Sequence, residues 1–180
     1  MERDELGRKI LEDCQLHGNF KLRSGETSDT YLDKYQAFAK TSILIPLVSH
    51  LKNLIPTDTE VLAGIVLGGV PLATALALET GIDLAFIRPE AKKYGTVRII
   101  EGADVTNKHV LLVEDITTTG GAIIDSALAL KSYNAKVAHC LCMIRRQVTL
   151  KPKLERLGIN LISLFSLDEL ENPYRFGDCF

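Results

Sequence analysis

The spacing of hydrophobic positions changes once, near residue 55. Between residues 2 and 16, Leu6, Ile10, Leu11 and Cys14 recur at helical intervals, which predicts an amphipathic helix. "HGNF" (17–20) breaks that rhythm. Short extended pieces are expected at Phe20–Leu22 and Tyr31–Asp33, on either side of the turn "SGETS". A further helix is expected through about Leu54, with Thr41 or Ser42 able to cap it. Pro46 falls near its first turn or just past it, where proline is tolerated or kinks the helix mildly.

Beyond that point the apolar residues come in short continuous runs. "VLAGIVL" (61–67), "DLAFIR" (83–88), "HVLLVED" (109–115), "KVAHCLCMI" (136–144) and "INLISLF" (159–165) read as strands covered on both faces. "LATALALET" (72–80), stopping at Gly81, and residues 121–132 read as the helices between them. Such alternation predicts right-handed βαβ units, hence an α/β fold with a parallel twisted sheet flanked by helices. No repeat or low-complexity linker divides the 180 residues, so one domain is expected over 1–180. Residues 1–40 stand outside the βαβ rhythm and are expected to form a small N-terminal hood or flap within it.

The stretch "VLLVEDITTTGGA" (110–122) carries the chemistry. Ligands of open α/β sheets gather at the carboxyl ends of the strands, and Glu114 and Asp115 sit at such an end. Ile116, Thr117, Thr118, Thr119, Gly120 and Gly121 follow, and then a helix. Small residues before a helix N-terminus let backbone N–H groups converge on an anion, and threonine hydroxyls add donors. That is a phosphate cradle, yet two carboxylates directly before it would repel a phosphate. A sugar phosphate resolves the conflict: its phosphate enters the cradle and its ribose hydroxyls donate to the carboxylates. Neither GxxxxGK[ST] nor a GxGxxG after a strand is present, which sets aside P-loop and dinucleotide sites.

Composition narrows the partners. At 46% hydrophobic the chain can bury a large core. With 21 Lys+Arg against 23 Asp+Glu, net charge −2, it lacks the basic face that nucleic-acid binding needs, and no helix-turn-helix is visible. No apolar run has membrane-spanning length, and "MERDELGRKILEDC" has no apolar signal core, so a cytoplasmic protein is expected. Cys14, Cys140, Cys142 and Cys179 form no CxxC and no zinc spacing. Cys140 and Cys142 share a strand face and are expected to pack as reduced, small hydrophobes. His17, His50, His109 and His139 have no motif around them and read as structural or surface residues.

"VLLVEDITTTGGA" resembles the phosphoribosyl-diphosphate signature of type I phosphoribosyltransferases. Three further segments point within them to the orotate phosphoribosyltransferase family. "FKLRSGETSDTYLD" (20–33) is similar to that family's flap, "GIVLGGVPLATALALETG" (64–81) to its pyrophosphate loop and following helix, and "IRPEAKKYGT" (87–96) to its mobile basic loop. The match runs in order from about residue 15 to 165.

The resemblance implies Mg²⁺-dependent transfer of ribose 5-phosphate from phosphoribosyl diphosphate to orotate, with Mg²⁺ held mainly by substrate and water. It implies that Glu114, Asp115 and Lys92 are catalytic, the acids holding the ribose hydroxyls. Thr118, Thr119, Gly120, Gly121 and Ala122 bind the 5-phosphate, with Ile116 and Thr117 leading into them. Leu67, Gly68 and Gly69 form the pyrophosphate loop, while Arg88, Lys92, Lys93 and Tyr94 meet the diphosphate. Arg23, Tyr31, Leu32, Thr118 and Arg146 surround orotate, Arg146 pairing with its carboxylate. Part of the basic loop reaches a neighbouring subunit in this family, so a homodimer with shared sites is implied.

The chain departs from the family pattern at Pro89, where a lysine is common, at Gly68, where some members carry lysine, and at Arg145, where the pattern has Asp. Two alternatives stay open: a related transferase acting on another base, and a non-catalytic regulator that binds phosphoribosyl diphosphate.

Overall fold

The computed structural model describes residues 1–21, 25, 27–90, 98–147 and 150–172. In chain order the elements are α1 (Arg3–Cys14), β1 (Gln15–Lys21), β2 (Thr27–Leu32), α2 (Lys34–Ala39), α3 (Thr41–Lys52), β3 (Val61–Ile65), α4 (Gly69–Thr80), β4 (Asp83–Ile87), β5 (Ile100–Gly102), β6 (His109–Thr117), α5 (Gly121–Ser132), β7 (Lys136–Arg145), α6 (Leu150–Glu155), β8 (Asn160–Ser166) and α7 (Leu167–Glu171). Six strands form one sheet in the order β5-β4-β3-β6-β7-β8, and β1 pairs with β2 in a separate antiparallel hairpin.

Five strands of the large sheet run parallel, as their continuous apolar runs predict. β3 is buried along its whole length, and β6 is buried from Val110 to Asp115. One face packs on α1, α3 and α4, where Leu6, Ile10, Ile43, Leu47, Leu72 and Leu76 are buried beneath the sheet residues Leu62 and Leu111. The other face packs on α5 and α6 through Ile123, Ala127, Leu130, Leu150 and Leu154, against Ala63, Leu112 and Cys140. Two apolar layers therefore enclose the sheet, and most of the hydrophobic free energy resides there. Cys14, Cys140 and Cys142 are free and buried within these layers, and burial pushes the Cys14 thiol up to about 11.

Several details differ from the pattern-based expectation. "HGNF" lies beyond the end of α1, as expected, but it forms the middle of β1, which starts directly after the helix. Its residues are mostly exposed, so no apolar alternation marks the strand, and the register shift between His17 and Phe20 disturbs it further. α2 was not foreseen, because its six residues are too few to display a helical period. Thr41 opens α3 rather than capping it, with Lys40 at the cap position, and Pro46 lies inside the helix. The large sheet is not wholly parallel: the three-residue β5 runs antiparallel to β4 at the edge.

Candidate active site

The strand order dictates where a ligand can sit. From β3 the chain crosses through α4 to β4 on one side, whereas β6 leads through α5 to β7 on the other. The winding therefore reverses between β3 and β6, and their carboxyl ends leave a crevice there. A cleft of about 220 Å³ opens at that place. Its walls are Ile65–Gly68 after β3, Glu114–Ile123 from the end of β6 into α5, and Lys34 and Tyr35 from α2.

The α5 end of the cleft is built for an anion. The first intrahelical bond runs from the Ile124 N–H to the Gly120 carbonyl at 2.9 Å, so the N–H groups of Gly121, Ala122 and Ile123 have no helical partner. Twelve aligned residues of α5 add the positive end of a helix dipole. Gly120 makes the turn possible: its φ is 73°, and a β-carbon there would come within 2.4 Å of Leu150 Cδ1. The Lys153 ammonium donates to the Thr119 carbonyl at 3.2 Å and ties the loop to α6. Thr117 is buried, and its hydroxyl has no partner among the described residues although Thr117 lines the cleft. A buried orphan hydroxyl beside free N–H groups calls for a ligand oxygen.

The acidic pair is buried at the cleft floor, with Asp115 at 1% exposure and Glu114 at 9%. Glu114 Oε1 accepts from the Asp115 N–H at 3.0 Å, and Asp115 Oδ1 accepts from the Ile116 N–H. Burial, and then the charge of Asp115, push the Glu114 carboxyl up to about 8. Both effects favour the protonated form of Glu114. The Lys34 ammonium lies 2.6 Å from Asp115 Oδ2. That contact is an ion pair: Oδ2 has no well-directed hydrogen bond among the described residues. Burial alone would lower the Lys34 pKa, but Asp115 outweighs it and holds the ammonium above its ordinary value. The shift of Glu114 toward its protonated form and the pairing of Asp115 with Lys34 lessen the repulsion that two free carboxylates would exert on an incoming phosphate.

The loop after β3 closes against this pair. A β-carbon on Gly68 would fall 1.3 Å from Asp115 Oδ2, so any side chain at 68 would displace the carboxylate. That gives the Gly68 departure from the family pattern a physical reason.

Comparison with known proteins places this geometry. The family model for the phosphoribosyl transferase domain matches residues 43–161. The orotate phosphoribosyltransferase of Nocardioides sp. is 37% identical over 164 residues, covering 91% of this chain and 92% of that protein. This chain belongs to the orotate phosphoribosyltransferase family. Its fold superposes on the crystal structure of the Aeropyrum pernix orotate phosphoribosyltransferase with a TM-score of 0.84 at 29% identity, over 94% of this chain and 98% of that one. The Mycobacterium tuberculosis orotate phosphoribosyltransferase, in complex with 5-phospho-α-D-ribosyl 1-diphosphate, matches with a TM-score of 0.76 at 25% identity, over 93% and 90% of the two chains.

Within this chain the cleft brings together Gly68, Glu114, Asp115, Ile116, Thr117, Thr118, Thr119, Gly120, Gly121 and Ala122. Gly69 opens α4 behind the loop. Arg88 follows β4 and Arg146 follows β7, and both stand outside the cleft lining. The Arg146 N–H donates to the Thr117 carbonyl at 2.9 Å, which sets that arginine beside the strand end. Arg88 Nε is buried without a partner among the described residues. Tyr31 and Leu32 end β2, also outside the lining, and the Tyr31 ring lies 5.5 Å from that of Phe20. Arg23, Lys92, Lys93 and Tyr94 lie outside the described residues. Lys34, Tyr35 and Lys153 were missed from sequence. Nothing in "YLDKYQ" distinguishes Lys34 from a solvated lysine until α2 packs on α1 and α3 and brings it to the cleft.

Proposed function

We infer that this protein moves ribose 5-phosphate from phosphoribosyl diphosphate to orotate, giving orotidine 5'-phosphate and pyrophosphate in pyrimidine nucleotide synthesis. The observation that carries this reading is the run Glu114–Ala122, which sets a buried acidic pair directly before a free helix N-terminus at the switch point of the sheet.

In this reading the N–H groups of Gly121 and Ala122, with the hydroxyls of Thr117, Thr118 and Thr119, receive the 5-phosphate. Asp115 and Glu114 take the ribose hydroxyls. A ring nitrogen of orotate bonds to C1 as the C1–O bond to pyrophosphate breaks, and the proton of that nitrogen passes to solvent. Positive charge then grows on the ribose, and the negative Asp115 beneath it lowers the barrier. Lys92, with Arg88, Lys93 and Tyr94, meets the diphosphate near the loop Leu67–Gly69. Arg146 pairs with the orotate carboxylate, and Arg23, Tyr31 and Leu32 close over the base.

Mg²⁺ would arrive with its substrate and be held mainly by oxygens of substrate and water, with the hard oxygens of Asp115 at hand in the cleft. Among the described residues no three His, Cys, Asp or Glu cluster as a metal cage. Bound Mg²⁺ would neutralise charge on the diphosphate. The buried thiols of Cys14, Cys140 and Cys142 suit a reducing, cytoplasmic setting. Among the described residues no helix is long and apolar enough to cross a membrane. A homodimer sharing its basic loops completes the reading.

The test is incubation of the protein with phosphoribosyl diphosphate, Mg²⁺ and each common base in turn. Orotate should yield orotidine 5'-phosphate and pyrophosphate at least about tenfold faster than any other base, a difference of about 1.4 kcal/mol in barrier. Sedimentation of the same sample should return twice the 19.8 kDa chain mass. Turnover of a different base, or ligand binding without turnover, would overturn the reading.

A further inference from the structure

Lys34 is the one cation that the described residues bring into the cleft. It is the first residue of α2, and its position is fixed from several sides. The Asp33 carboxylate caps the helix by accepting from the Tyr35 N–H at 3.1 Å, and the Asp33 N–H donates to the Cys14 carbonyl at 2.8 Å. Ala37, one turn on, is fully buried against α1 and α3. The helix follows directly on β2, so the lysine belongs to the N-terminal hairpin layer and not to the sheet.

From there the side chain reaches Asp115 Oδ2. That oxygen faces Gly68 on one side and the ammonium on the other. Asp115 Oδ1 is already engaged by the Ile116 N–H, so Oδ2 is the oxygen left for a ribose hydroxyl. The ammonium therefore occupies the place that a ribose hydroxyl needs. A ligand that takes Asp115 must displace Lys34, which is only partly buried and free to turn, with 26% of its side chain exposed. Its nearest new partner on the Gly68 side of the cleft is whatever anion lies against that loop.

We propose that Lys34 is a substrate-binding residue of two states: it neutralises Asp115 in the empty site, then passes to the diphosphate oxygens of the substrate as the ribose hydroxyls take Asp115. This rests on the transferase reading and adds to it a cation carried by the N-terminal hairpin layer. Lysine suits such an exchange better than arginine would, because its ammonium is a compact point charge on a flexible stem with three donors.

The experiment compares three ligands on the whole protein by calorimetry: phosphoribosyl diphosphate with Mg²⁺, ribose 5-phosphate, and inorganic phosphate. Lys34→Met should raise the Kd of phosphoribosyl diphosphate by at least about tenfold, while the Kd of the two ligands that lack a diphosphate changes by less than about threefold. Lys34→Arg should restore at least half of the lost binding. A lysine that merely braces the fold would weaken all three ligands together, and arginine would not selectively restore the diphosphate. Asp115→Asn/Lys34→Met, set against Asp115→Asn alone, repeats the comparison without a buried unpaired charge, should the single variant fold poorly. A wild type that binds no phosphoribosyl diphosphate overturns the transferase reading and this inference with it. A wild type that turns over, with a Lys34→Met that affects all three ligands equally or none, overturns this inference alone.

Discussion

Glu114 has a folded-state pKa near 8 against an ordinary value of 4.5, because it is buried beside Asp115. The folded chain therefore holds that proton more tightly than the unfolded chain does. Its contribution to stability is full below about pH 4.5 and is lost as pH rises through 8, with a slope approaching about 1.4 kcal/mol per unit. Glu114→Gln keeps an acceptor for the Asp115 N–H and removes the titration. Urea unfolding at pH 6 and pH 8 should show the wild type losing roughly 2 kcal/mol more than the variant between the two. Equal losses would show that Glu114 is not held neutral. The identity of this residue as a site acid was legible from its place at the end of an apolar run. Its protonation was not, because that depends first on how deeply the folded sheet buries the carboxyl beside Asp115. Gly68 is a similar case: sequence marks it as a departure, and only the contact with Asp115 explains it.

At the scale of elements, strands covered on both faces were easy to read, since β3, β6 and β7 are near-continuous apolar runs. α5 was legible to the residue, as the helix 121–132 that follows the threonine and glycine run. α2 and β5 were not, being too short to show a period and held by tertiary pairing instead. The hairpin was seen only at its ends, because β1 is mostly exposed and β2 alternates only between exposed and half-buried, so neither shows an apolar face. Gly120 links element to function. Gly120→Ala would force a side chain into a φ of 73° and against Leu150, so α5 should start in a shifted position. A stability loss of about 1–3 kcal/mol is expected in urea unfolding, together with weaker binding of inorganic phosphate in calorimetry. Wild-type stability with unchanged phosphate affinity would argue that the turn plays no part in the cradle.

Across the whole molecule, the site follows from topology. Two apolar layers hold a sheet whose winding reverses between β3 and β6, and the chain places its acids, its free helix end and its glycine loop at that reversal. The start of α2 then adds Lys34 and Tyr35 to the wall of the crevice. Asp115 joins these parts, touching Gly68, Lys34 and the cleft at once. The most direct test is steady-state turnover of orotate and phosphoribosyl diphosphate by Asp115→Asn beside the wild type, with urea unfolding of both. The substitution keeps the shape and an acceptor for the Ile116 N–H while removing the charge. Turnover should fall by at least about tenfold, roughly 1.4 kcal/mol of barrier, while the protein stays folded. Wild-type turnover by a folded Asp115→Asn would contradict the account.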